Sequence, residues 1–224
     1  MSMATEQSFL KDVESHVIEV IRDDGTHRHI RFRKPGTMCM HFDLITWPGS
    51  LCYTGDMGTY VFERLTDMFE FFRDKAEGAL RINLSYWSEK LTAVDASGRN
   101  KGSAVEFSKE RFTSFINSYR VEWIKNACRG GRLSKDQRRE LWEAVDHEVL
   151  AYLDDGEHAV FQRAYDFPWS PDAYNSRRDY SFEDFWDHRF EEYTDHFIWC
   201  CYALAWGIRT YDAHKAAANL PQEA

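Results

Sequence analysis

The chain has 224 residues, 43% hydrophobic and 16% aromatic, a balance that suits a folded globular protein and excludes a disordered one. Its net charge of −9 is the reverse of what a nonspecific DNA binder uses to neutralise phosphates. The longest apolar run, Phe197 to Ile208, has twelve residues, short of the roughly 20 that a membrane-spanning helix requires.

Met1 to Leu10 is polar, so no signal peptide is expected there. His16 to Arg22 reads as a strand, and Asp23-Asp24-Gly25-Thr26 as a hairpin turn with Gly25 free to take positive φ. Thr26 to Lys34 alternates. Arg28, Ile30 and Phe32 face one way, and His27, His29, Arg31 and Arg33 face the other. Pro35-Gly36 stops that strand. Cys39 to Thr46 and Leu51 to Thr54 extend the series into an antiparallel meander, with Trp47 expected to be buried beside the Pro48-Gly49 turn. Val61, Leu65, Met68, Phe69 and Phe72 recur at helical spacing and predict a helix packed on the sheet. Leu84, Trp87 and Leu91 suggest a short helix, and the polar stretch Asp95 to Gly102 a boundary loop.

The second half reads as mainly helical. Ser108 caps a helix with Phe112, Ile116, Tyr119 and Trp123 on its apolar face, ended by Gly130-Gly131. Ser134 and Gln137 fit a capping box for a helix burying Leu141, Val145 and Val149. Arg163 to Tyr180 is expected to be a structured, aromatic-rich loop, and Ser181 to about His214 a last helix. The fold class is α+β: an N-terminal antiparallel sheet with a packed helix, then a mainly helical C-terminal half. The expected regions are residues 1–95 and 103–224, sharing one core.

The segment MHFDLITWPG, followed by LCYTGDMGTYVFERL and DMFEFFR, resembles a family of uncharacterised proteins encoded by tailed phages and prophages. The resemblance covers roughly Arg22 to Trp87 and brings no known activity with it. It implies a phage accessory protein working in the host cytoplasm.

Candidate chemistry is sparse. The five cysteines are odd in number and lack paired zinc spacing, so they read as reduced thiols of a cytosolic protein. No nucleophile elbow, phosphate loop or dinucleotide glycine pattern is present. Asp184, His188, Glu192 and His196 are four residues apart, which on one helix would align them as metal ligands. A solvated charged face explains the same spacing more simply. Residues 179–195 hold seven acids against the single base Arg189, a net of −6. Such a segment can dock on a basic partner, imitating DNA. The His27, His29, Arg31 and Arg33 face can hold phosphate or an acidic partner, although an exposed sheet face is ordinarily polar.

These features favour a binding protein over an enzyme. The expected function is inhibition of a bacterial defence system, anti-CRISPR-like, by protein–protein contact. The expected contact residues are Asp187, Glu191, Glu192 and Asp195 on the acidic segment, with Trp169 and Tyr174 in the aromatic loop. No cofactor is expected. The expected partner is a bacterial host protein, such as a nucleic-acid-binding defence complex, rather than nucleic acid itself or a membrane, and a homodimer is an open alternative. The alternative function is a metal-dependent hydrolase using Asp184, His188, Glu192 and His196.

Overall fold

The alternation of apolar and polar residues through the N-terminal third becomes an antiparallel sheet in the computed structural model, which describes residues 3–74, 78–95, 103–167, 169–171, 180–182 and 185–219. After helix α1 (Glu6–Asp12), six strands follow: β1 (Val17–Asp24), β2 (His27–Arg33), β3 (Phe42–Trp47), β4 (Ser50–Gly55), β5 (Gly58–Glu63) and β6 (Leu91–Val94). They pair in chain order, each antiparallel to the next. Two short helices, α2 (Met68–Phe72) and α3 (Leu84–Ser88), lie between β5 and β6. The α+β expectation therefore stands.

The predicted helix from Val61 is corrected. Val61 belongs to β5, where Tyr60 and Phe62 are buried and pair across to Tyr53 and Leu51. Strand alternation overrides the i, i+4 coincidence of Val61 with Leu65, and the helix begins only where Asp67 caps Phe69.

The last helix is corrected as well. Residues 181–193 do not start it. They include a 3-10 turn at Phe185–Asp187 and strand β8 (Glu191–Tyr193), which pairs with β7 (Val105–Phe107). Helix α7 (Asp195–Ala218) begins at Thr194, whose side chain accepts a hydrogen bond from the backbone N–H of Phe197.

The chain divides into two compact units, Met1–Glu106 with Tyr193–Ala224, and Phe107–Glu192. The expected region 103–224 is thus divided, because α7 belongs with the sheet. That helix is apolar from Phe197 to Ile208, with Phe197, Trp199, Cys200, Cys201, Leu204 and Ile208 buried, as befits a helix in a core. It packs on the inner face of the sheet, formed by Ile30, Phe32, Phe42, Leu44, Leu51, Tyr53, Tyr60 and Phe62. Ring pairs stitch the layers: Phe42–Trp199 at 5.7 Å, Phe32–Trp206 at 5.4 Å and Tyr60–Phe197 at 5.5 Å. Gly207 permits the approach. A Cβ there would come within 3.0 Å of Leu44 and 3.1 Å of Phe32.

The second unit holds α4 (Lys109–Gly130), α5 (Lys135–Glu148), a 3-10 turn at Leu150–Asp155 and α6 (Glu157–Asp166). Its caps are those expected: Ser108 opens α4, Gly131 in the left-handed conformation closes it, and Ser134 with Gln137 forms the capping box of α5. Phe112, Ile116, Leu141, Val145, Val149, Val160 and Phe167 make its core. Arg120 ties α4 to α5, donating to Asp146 and stacking over the Trp142 ring at 3.8 Å.

Candidate interaction surface

Because successive strand residues alternate between faces, the partners of the buried inner set form an outer face of their own. On β2 this is His29 and Arg31, and on β3 it is Asp43, Ile45 and Trp47. Arg31 stands opposite Asp43. It grips that carboxylate with two bonds, Nε–H to Oδ1 at 2.9 Å and Nη2–H to Oδ2 at 2.8 Å. His29 Nε2–H donates to the same Oδ2 at 2.6 Å. Asp43 is only 5% exposed. Burial alone would raise its pKa, but the hydrogen bonds and positive charge of Arg31 and His29 outweigh burial and hold it below the ordinary carboxylate value. The result is a rigid polar cluster in the middle of a sheet face.

Beside it lies a cleft of about 570 Å³ lined by Ile21, His27, His29, Ile45 and Trp47. The expectation that Trp47 is buried is overturned: it is 39% exposed. Phe42, Leu44 and Thr46 share one parity and point inward, which sends Trp47 outward with Asp43 and Ile45. Ile21 is 46% exposed and Val17 49%. A register shift between Val20 and Arg22 makes Ile21 the extra residue of a β-bulge at this edge. The surface thus combines an exposed indole, exposed β-branched side chains and a preorganised charged cluster.

The neighbouring inner corner is closed by a second network. Arg28 forms a bidentate pair with Asp67 at 2.8 Å to each oxygen, and Asp23 accepts from Tyr211 at 2.8 Å and Lys215 at 2.6 Å. These bonds outweigh the opposing effect of burial and lower the pKa values of both Asp67 and Asp23.

The residues expected to contact a partner do not form one acidic helix face. Asp187 is exposed at the end of a 3-10 turn and Glu191 is exposed on β8. Glu192 accepts a hydrogen bond from Ser108 Oγ at 2.9 Å, and Asp195 accepts one from the backbone N–H of Ala4 at 3.0 Å. Both therefore have structural partners inside the chain. Trp169 bridges to Tyr180 with rings 5.3 Å apart. Tyr174 and Asp184 lie outside the described residues.

The metal alternative loses its helical premise. His188 follows the 3-10 turn and packs at a tilt against Phe115, Glu192 is on β8, and only His196 is on α7. Among the described residues, no group of three or more His, Cys, Asp or Glu side chains is placed to hold a metal ion. Cys200 and Cys201 are buried, and burial pushes both thiols well above their ordinary pKa. Among the described residues, no helix is long and apolar enough to cross a membrane.

Sequence reasoning missed the Asp43 cluster. Its signal was a lone acid between Phe42 and Leu44, opposite the basic face of the preceding strand, but only the register brings Asp43 to Arg31. No protein-family model, curated protein or solved structure matches the chain.

Proposed function

We propose that this is a phage-encoded binding protein that inhibits a bacterial defence system, anti-CRISPR-like, by contact with a host protein. Its docking surface is the outer face of the sheet rather than an acidic helix. The observation that carries this reading is the exposure of Trp47 and Ile21 beside a locked Arg31–Asp43–His29 cluster. Exposed aromatics ringed by ordered polar groups are the usual make-up of an interface centre. The phage resemblance adds support, since the region that it covers, roughly Arg22 to Trp87, includes β2 to β5. The partner fitted to this face has an apolar centre and polar groups that meet the cluster.

The test is phage propagation on hosts that each carry one defence system, with and without this protein. Wild type should restore plaques on at least one such host. Trp47→Ala combined with Ile21→Arg should abolish that rescue while the melting temperature stays close to wild type. Full rescue by the double variant would overturn the choice of surface. Absence of rescue across the defence panel would overturn the inhibitor reading itself.

A further inference from the structure

The turn between α4 and α5 carries charge of the opposite sign to the molecule. Residues 125–139 hold six cations, Lys125, Arg129, Arg132, Lys135, Arg138 and Arg139, against the single acid Asp136, a net of +5 in a chain of −9. Helix electrostatics explain only part of this. Lys125 and Arg129 fall near the C-terminus of α4, where cations are favoured. Lys135, Arg138 and Arg139 fall at the start of α5, where the dipole disfavours them. Arg138 is used locally, donating to the Leu133 carbonyl at 2.8 Å, and Arg139 pairs with Glu143. Lys125, Arg129, Arg132 and Lys135 are exposed, and none makes an ion pair among the described residues.

A cleft of about 390 Å³ opens beside these cations, lined by Trp123, Asn126, Arg132 and Tyr180 among others. Asn126 lies three residues before Arg129, so the two are neighbours on α4. The cleft therefore offers the rims of aromatic side chains whose rings pack on one another and on Phe167 and Phe182, an amide with both donor and acceptor, and a guanidinium at its edge. An acidic peptide would need the cations alone. Aromatic side chains and an amide next to them are what an unstacked base needs as well.

We infer that the α4–α5 corner binds single-stranded nucleic acid, with phosphates on Arg129, Arg132 and Lys135 and a base in the Trp123–Asn126 cleft. The strand must be single, because a base held in a duplex stack cannot enter the cleft. The acidic remainder of the chain is compatible with a short site. At 0.1 M salt, charges more than about 10 Å away are largely screened. This site is independent of the sheet face proposed above.

The experiment is fluorescence anisotropy of the full chain with labelled 12-nucleotide RNA and DNA and an abasic DNA 12-mer, over a salt series. Intact RNA or DNA should bind with a salt slope of about −2, roughly −0.7 per phosphate for three contacts. Arg129→Glu with Lys135→Glu should weaken binding at least tenfold at an unchanged melting temperature. Arg64→Glu with Arg81→Glu, an equal charge change at two exposed positions elsewhere, should weaken it less than twofold. The abasic strand should bind about tenfold more weakly, in line with the loss of one stacked base. Failure to bind either intact strand, or unchanged binding by the double variant, would overturn the inference. Equal binding of the abasic strand would reduce the corner to a general polyanion surface and overturn the nucleic-acid assignment. A preference for RNA or for DNA would name the strand type and support it.

Discussion

The two faces of the six-stranded sheet are built by alternate residues of the same strands, yet they obey different rules. On β3 the inner residues Phe42 and Leu44 are fully buried under α7, and the outer residues Asp43, Ile45 and Trp47 carry a charged cluster and an exposed indole. The inner face is closed so tightly that a Cβ at position 207 would press on Leu44 and Phe32. The outer face has a cleft. The difference teaches that one strand can serve stability through one parity and recognition through the other. A substitution one position along the chain should therefore change its consequence in kind.

The largest effect that would break this contrast is on the inner side. Phe42→Ala removes a buried ring that touches Phe32, Tyr53, Trp199 and Trp206. It should cost about 3–5 kcal/mol by chemical denaturation. A cost below about 1 kcal/mol would mean that the inner face is not the core.

One residue along, Asp43→Asn should cost about 2 kcal/mol, because it removes the nearly buried carboxylate that accepts hydrogen bonds from Arg31 and His29. The same residue gives a pH signature. Its folded pKa is lowered, so its contribution is present above the unfolded value of about 3.9 and is lost as pH falls through the folded one. Asp23 and Asp67 are lowered too and act in the same direction. Wild-type melting temperature should thus fall on the acid side of about pH 4, and Asp43→Asn should make that fall shallower. An unchanged acid limb would show that Asp43 is not coupled to folding.

Gly207→Ala tests the closeness of α7. Leu44 and Phe32 must give way by a few tenths of an ångström, and overpacking of this kind costs about 1–3 kcal/mol. Greater stability in the variant would show that the helix has room to move off the sheet.

Trp47→Ala should have the smallest effect on stability, under about 1 kcal/mol, because its indole is already partly in water. Its effect on defence inhibition should be the largest of the four. Loss of several kcal/mol with inhibition intact would reverse the roles of the two faces.

Much of this architecture was legible along the chain. The hairpin at Gly25, the capping box at Ser134 and the left-handed glycine at 131 are local devices, and each was readable because its cause lies within four residues. The α+β class followed from alternation giving way to helical spacing. The burial of Trp47 was misjudged because a hydrophobic residue next to a turn looks like core, whereas the parity of Phe42 and Leu44 decides where it points. The run of acids and aromatics from 181 to 193 has helical spacing, yet it includes a 3-10 turn and strand β8, because its backbone partners are on β7, some 85 residues away. A still greater separation in the chain hid the placement of α7 on the N-terminal sheet. Local propensity, caps and turns were determined by the sequence itself, because neighbouring residues supply both the demand and its satisfaction. The outer cluster, the inner closure at Gly207 and the division into two units were decided only in the tertiary structure, because they depend on strand register and on contacts between residues distant in the chain.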